Sequence, residues 1–336
     1  MLIPFVILPN LFNEELIDSN AQVIDNLVLF LKSAINRGIV LFDSDNCINT
    51  AIYNYIEEFK NQQKKKRYQE IYKFIYKLNR YNITTKDFEN DLNPECEKVV
   101  SIMRNSSDII CVCGVKDCDK ECKECLQNEL NNNQILEISN VDNIIDRFSR
   151  KTFTSVQEYD VDKLHSDIFK NFIKYASEIS IYDNQMIPRE KIKSSNSKYQ
   201  INVNYKYNIE LLFSYMLSIN PNLTVNLYLI IKQEQYKDSN QIIDSFNVFM
   251  QKFRDDYNNS KINTIPIIET CTPKSETKIL HQRYFISNHI IFSCDRGLDL
   301  INPHTKKVRD FNIAIVDKAD EKILRYHLNN KLEVSK

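Results

Sequence analysis

Two kinds of hydrophobic pattern alternate along this chain. Residues 2–8 form a continuous apolar run closed by Pro9-Asn10, which predicts a strand buried on both faces. Val23, Ile24, Leu27, Phe30, Leu31 and Ile35 then recur at helical spacing; Ser19 or Asn20 can cap the start and Gly38 stops it. A second buried strand at 39–42 ends in Asp43-Ser44-Asp45-Asn46. Helix is expected from about 48 to 78, with Tyr53, Ile56, Phe59, Tyr72, Ile75 and Tyr76 along one side. Strands at 108–113 and 135–138 follow. Strands alternating with helices predict a parallel sheet with helices on both faces.

The polar stretch 150–162 has little periodicity and suggests a boundary, giving expected units of 1–155 and 156–336. Beyond it, strands are predicted at 178–182, 224–230 and 264–268, with helices at 207–217 and 242–253. Two short apolar runs, 284–286 and 290–292, flank Ser287-Asn288-His289 and suit a tight hairpin. A last strand at 312–316 and a helix at 318–328 close the chain. The class is α/β in both units, the second with an antiparallel pair added.

Composition narrows the function by exclusion. With only Gly38, Gly114 and Gly297, the chain has neither a Walker A loop nor a dinucleotide fingerprint, both of which need paired glycines. GxSxG and HExxH are absent as well. No run of 18 apolar residues predicts a transmembrane helix, and the opening MLIPFVILPN lacks the basic region and cleavage site of a signal peptide. Nine cysteines without a secretion signal point to a reducing cytoplasm. Net charge is −1, yet residues 61–80 hold seven Lys/Arg against one acid, whereas 86–147 hold fourteen acids against seven bases.

Three N-terminal features carry candidate chemistry. Asp43 and Asp45 follow a buried strand, where ligand sites of open α/β sheets gather. Two carboxylates at this spacing can share Mg²⁺ or Mn²⁺, with Asp108 beside the next strand and Glu57 or Glu58 in the following helix. The same Asp43–Asn46 stretch also reads as a turn and helix cap. Cys118, Cys122 and Cys125 lie at i, i+4 and i+7, and with Cys113 or Cys96 they can form a zinc or iron–sulfur site; buried, reduced thiols are the other reading. Lys64, Lys65, Lys66 and Arg67, with Tyr68, Tyr72, Lys73, Tyr76, Lys77 and Arg80 beyond, set bases and aromatics along one helix. Such a stripe can track a nucleic-acid backbone or simply be a solvated face.

The carboxylate arrangement is similar in outline to PIN-like ribonucleases, which implies catalytic roles for Asp43, Asp45 and Asp108; the first strand ends Leu8-Pro9-Asn10 where that family has Asp. In the second half, Ile179–Asp183, Leu280-His281-Gln282-Arg283 and Asp295-Arg296-Gly297-Leu298-Asp299 resemble the phospholipase-D-like C-terminal domain of MIT-domain proteins and their bacterial relatives. The resemblance implies a phosphate-accepting site built from Asp183, His281, Arg283, Arg296 and Asp299, without the paired His-x-Lys motifs of a true diesterase. Arginine pairs bidentately with phosphate, and Gly297 permits positive φ or close backbone approach. An internal polar network at the sheet end is the alternative. Together the resemblances imply a cytoplasmic bacterial effector of toxin or anti-phage defence type. Its N-terminal unit would be a Mg²⁺-dependent nuclease, and its C-terminal unit would dock a phosphate-bearing ligand or another protein of the same system. The competing class is a non-catalytic adaptor whose units bind partner proteins or nucleic acid. Neither class specifies an oligomeric state.

Overall fold

A computed structural model describes residues 2–15, 22–85, 94–114, 134–138, 141–154, 159–186, 189–190, 199–232, 237–258, 261–269, 283–317, 320–322 and 324–325. The chain divides into two compact units, Leu2–Arg150 and Lys151–Lys336.

The N-terminal unit is a five-stranded parallel sheet. Its strands are β1 (Ile3–Ile7), β2 (Gly38–Asp43), β3 (Asn79–Ile83), β4 (Ile110–Cys113) and β5 (Ile135–Glu137), in the order β3-β2-β1-β4-β5. Every residue of β1, β2 and β4 is buried, as expected of parallel strands covered on both faces. Helix α1 (Gln22–Ala34) packs Phe30 on Phe5 of β1, and both rings meet Phe148 of the short helix α5 (Asp142–Ser149). The close seating of α1 on the sheet explains Gly38: a Cβ there would meet the Ala34 carbonyl at 2.7 Å and the Phe5 ring at 2.9 Å. Arg37, largely buried, donates to the carbonyls of Arg147 and Arg150 and so closes the end of α5. Burial, with the nearby charges of Arg150 and Arg147, lowers its pKa to about 10.

The stretch over 48–78 expected to be mainly helical holds two helices, α2 (Cys47–Glu57) and α3 (Gln62–Ile75), followed by the edge strand β3 that the pattern did not predict. The break needs no Gly or Pro. Asn61 caps α3 by accepting from Gln63 and Lys64 N–H, and the Glu14 carboxylate accepts from Lys60 and Asn61 N–H. Helix α4 (Pro94–Met103) precedes β4.

The C-terminal unit is a seven-stranded mixed sheet. It comprises β6 (Thr152–Thr154), β7 (Glu178–Tyr182), β10 (Thr224–Lys232), β11 (Ile262–Glu269), β12 (Tyr284–Ser287), β13 (Ile291–Cys294) and β14 (Asn312–Ile315). The order is β11-β10-β7-β12-β13-β14-β6; β11, β10 and β7 run parallel and the rest antiparallel. β6 pairs with β14, so the division falls at Arg150 rather than at 155. A separate two-stranded ribbon joins β8 (Arg189–Glu190) and β9 (Tyr199–Gln200). Two long helices, α8 (Val203–Ile219) and α9 (Ser239–Asp256), follow β9 and β10, and the short segments α6 (Val161–Leu164) and α7 (Lys170–Lys174) flank a π turn at His165–Phe169.

The sheet's two faces are both aromatic. One carries a row of tyrosines in register, Tyr228, Tyr182 and Tyr284. The other carries Phe285 stacked on Phe292 at 4.9 Å, with Phe169 and Phe172 packed against them. This alternation is the period-two signature of strand positions 284 and 285. Among the described residues, no helix is long and apolar enough to cross a membrane.

Candidate functional site

Asp43 ends β2 almost fully buried, and its two carboxylate oxygens are already engaged. Oδ2 accepts from Cys47 N–H at 2.7 Å and Oδ1 from Ile48 N–H at 2.8 Å. These are orphan donors at the start of α2, so Asp43 is a helix-terminus acceptor. Asn46 enters the helix at φ 64°, a left-handed conformation that Asn tolerates. Asp45 points elsewhere, to a salt bridge with the nearly buried Lys98 at 3.0 Å. Asp108 lies at the other end of the sheet. Phe5 is level with both Val40 and Ile110, so Asp43 stands three residues beyond that level and Asp108 two before it. The difference is about 16 Å along the strands. The three carboxylates expected to share Mg²⁺ or Mn²⁺ are therefore not assembled, and they do not fit one metal.

Alongside α2, Asp45, Cys47, Thr50, Asn54 and Glu58 line an open cleft of about 510 Å³. Asp45 and Glu58 stand at its two ends, separated by a helix about 15 Å long, so they cannot act as a pair on one atom. Burial, then the Asp43 carboxylate, raises the pKa of the Cys47 thiol, which is the opposite of what a nucleophilic cysteine needs. Of the proposed cysteine ligands, Cys113 is buried on β4 with its Sγ 3.5 Å from the Leu136 carbonyl. Cys118, Cys122 and Cys125 lie outside the described residues. No group of three or more His, Cys, Asp or Glu among the described residues is placed to hold a metal.

The C-terminal constellation converges at the end of β7. Asp183 is 1% exposed; its Oδ1 accepts from Gln185 N–H and its Oδ2 from Leu298 N–H, both at 2.9 Å. Arg283 Nε lies 3.4 Å from Asp183 Oδ1, and its Nη1 donates to the Asp295 carbonyl. Burial pushes the Asp183 carboxyl up to about 6, against the lowering by the Leu298 and Gln185 N–H groups and by Arg283. Gly297 sits over this pair at φ 57°, where a Cβ would run into Asp183 Oδ2 and Arg283 Cδ. Arg296 Nε donates to the Asp310 carbonyl at 2.6 Å, and Asp299 Oδ1 lies 3.3 Å from Arg309 Nε. Asp183, Arg283, Arg296 and Asp299 are thus brought together, with their contacts directed at one another, at Arg309 and at the backbone. His281 lies outside the described residues. Asn288 serves the hairpin, accepting from Ser177 N–H.

The basic helix is altered more than any other feature by its surroundings. Lys65 pairs with Glu57 at 2.8 Å and Arg67 with Asp25 at 2.6 Å. Tyr68 is buried between Phe12 and Phe59 and forms part of the core. Tyr53 and Tyr76, expected on an inner side, are 50% and 39% exposed. Both follow a buried stripe by one position, Ile52 in α2 and Ile75 at the end of α3, so they turn about 100° away from it. Tyr72 completes the group, with ring centroids 6.4 Å from Tyr53 and 5.0 Å from Tyr76. Asn49 of α2, which no pattern singled out, accepts the hydroxyls of Tyr72 at 2.8 Å and Tyr76 at 2.9 Å. Burial is the first cause, and the adjacent Tyr76 hydroxyl the second, of a raised pKa at Tyr72. The Arg80 guanidinium lies 4.6 Å over the Tyr76 ring.

Lys66, Lys73 and Lys77 are exposed on the same side, and no described carboxylate is within ion-pair distance of them. Glu70 is the single acid of residues 61–80. No family model, curated protein or solved structure matches this chain.

Proposed function

We propose that this chain is a nucleic-acid-binding protein that holds a phosphate backbone on the outer face of α3, and that it works by binding rather than by cleavage. The observation that carries this reading is the line Lys66, Lys73, Lys77 and Arg80, exposed together while the neighbouring Lys65 and Arg67 are engaged by Glu57 and Asp25. Unpaired ammonium groups at helical spacing displace the cations condensed on a phosphate chain, and that release is the main source of sequence-independent affinity. The dispersed carboxylates support binding over catalysis, because Asp43, Asp45 and Asp108 each have a separate structural setting. The C-terminal unit, in which we retain the phospholipase-D-like reading as a proposal, then serves to dock a second component of the same system.

The test is fluorescence anisotropy of labelled DNA and RNA with the full chain and with Lys66→Gln/Lys73→Gln/Lys77→Gln. The expected result is a loss of about tenfold or more in affinity at low salt, for every sequence tried. Unchanged affinity overturns the reading. The same samples are incubated with Mg²⁺ or Mn²⁺. Intact strands are expected, and cleavage that disappears in Asp45→Asn restores the nuclease reading.

A further inference from the structure

Beside the lysine line, α2 and α3 present a contiguous aromatic surface, and a phosphate-binding role alone does not account for it. Tyr53 is half exposed and Tyr76 more than a third, although a tyrosine at a solvated helix position ordinarily leaves its ring free to move. Here the Tyr72 and Tyr76 rings are held. Asn49 Oδ1 accepts the hydroxyls of both Tyr72 and Tyr76, and these hydroxyls are 2.9 Å apart. Tyr53 leans on Tyr72 at 6.4 Å from the neighbouring helix. The bond to Asn49 fixes the position of the Tyr76 side chain, which stays more than a third exposed. Arg80, 4.6 Å over the Tyr76 ring, adds a guanidinium to the same surface, and like Lys73 and Lys77 it is exposed.

Fixed aromatic faces bordered by cations match one ligand chemistry closely. Unpaired nucleobases have π faces to stack, and their backbone carries one phosphate per base. A duplex hides those faces within its own stack and offers only phosphates and groove edges. An acidic polypeptide has the charge but no recurring planar groups. We propose that the Tyr53–Tyr72–Tyr76–Arg80 surface is a stacking platform that selects single-stranded over double-stranded nucleic acid. Tyr53 and the Arg80 guanidinium over Tyr76 would receive bases, while Lys73 and Lys77 receive the adjoining phosphates. This rests on the nucleic-acid reading above and adds the strandedness of the ligand to it.

The experiment compares a labelled single strand of about 12 nucleotides, as DNA and as RNA, with the corresponding duplex, using the full chain. Both single strands are expected to bind about tenfold more tightly than the duplex. Tyr53→Ala is expected to remove most of that preference by weakening single-strand binding about tenfold, with duplex affinity unchanged. Tyr53→Phe keeps the ring and is expected to keep the preference. Tyr53 is an exposed helix residue, so truncation leaves a folded chain, which far-UV circular dichroism verifies.

Equal binding of single strand and duplex, or an equal loss of both in Tyr53→Ala, overturns the stacking platform while leaving the lysine reading intact. Displacement of the single strand by polyglutamate at equal charge also overturns it, in favour of an acidic-protein dock. Failure of the lysine variants to weaken any binding removes both readings together.

Discussion

At Gly297 the backbone takes φ 57° directly above the Asp183–Arg283 pair, so conformation and space both demand glycine. Gly297→Ala is expected to lower stability by about 2 kcal/mol or more, combining a left-handed alanine with displacement of a buried carboxylate; urea unfolding measures it. Asp183 itself predicts an unusual pH response. Its carboxyl titrates near 6 in the folded chain, above the ordinary aspartate range, because burial outweighs the two N–H donors and Arg283. The folded state therefore binds a proton more tightly than the unfolded state does. This contribution is fully present below about pH 4 and is lost as pH rises through 6, on the order of 2 to 3 kcal/mol. Between pH 4 and 7 the parent should lose stability relative to Asp183→Asn, so the difference between their unfolding free energies should change by this amount toward neutrality. A parallel pair of curves would show that Asp183 does not titrate there. The buried Cys294 thiol, raised to about 12 chiefly by burial, contributes nothing in this range.

Among elements, α2 depends most on a residue outside it. Asp43→Ala leaves the Cys47 and Ile48 N–H groups without their acceptor and is expected to cost about 2 kcal/mol. A carboxylate kept for metal chemistry gives the opposite sign, because removing it relieves strain held for function, so equilibrium unfolding of this variant bears on both readings. The elements legible in the sequence are those whose burial leaves a local pattern, continuous in the covered strands and helically spaced in the amphipathic helices. β1, α1, β2, β7, α8, β10, α9 and the β12–β13 hairpin all fall within a few residues of the pattern's prediction. What could not be read depended on distant partners. Glu14 interrupts the long helix by accepting from Lys60 and Asn61 N–H, 46 and 47 residues away. β3 is a strand because β2 pairs it, not because its half-exposed residues Asn79–Ile83 announce one. The same limit applies to the sites. The grouping of Asp183, Arg283 and Gly297 was visible as motif fragments. By contrast, the separation of Asp108 from Asp43 is a matter of strand register, and the Tyr53–Tyr72–Tyr76 surface of how two helices meet at Asn49.

Over the whole molecule, 44 basic and 45 acidic residues nearly cancel, so no long-range field draws a polyanion to the protein. Any nucleic-acid affinity must then arise from a local patch, and its salt dependence reports the number of charges in that patch. Four cations, Lys66, Lys73, Lys77 and Arg80, are exposed on or just beyond α3. If each displaces one condensed counterion, log K should fall against log salt with a slope of about −3 for single strands. Lys66→Gln/Lys73→Gln/Lys77→Gln leaves one of the four, and the slope should shrink to about −1. Stacking on Tyr53 adds affinity without displacing ions, so Tyr53→Ala should shift the line downward and keep its slope. A patch that recruited the remaining basic residues of the chain would give a steeper slope, insensitive to the triple substitution. Anisotropy titrations at several salt concentrations, run on the parent and both variants, separate the ionic and aromatic contributions within one set of curves.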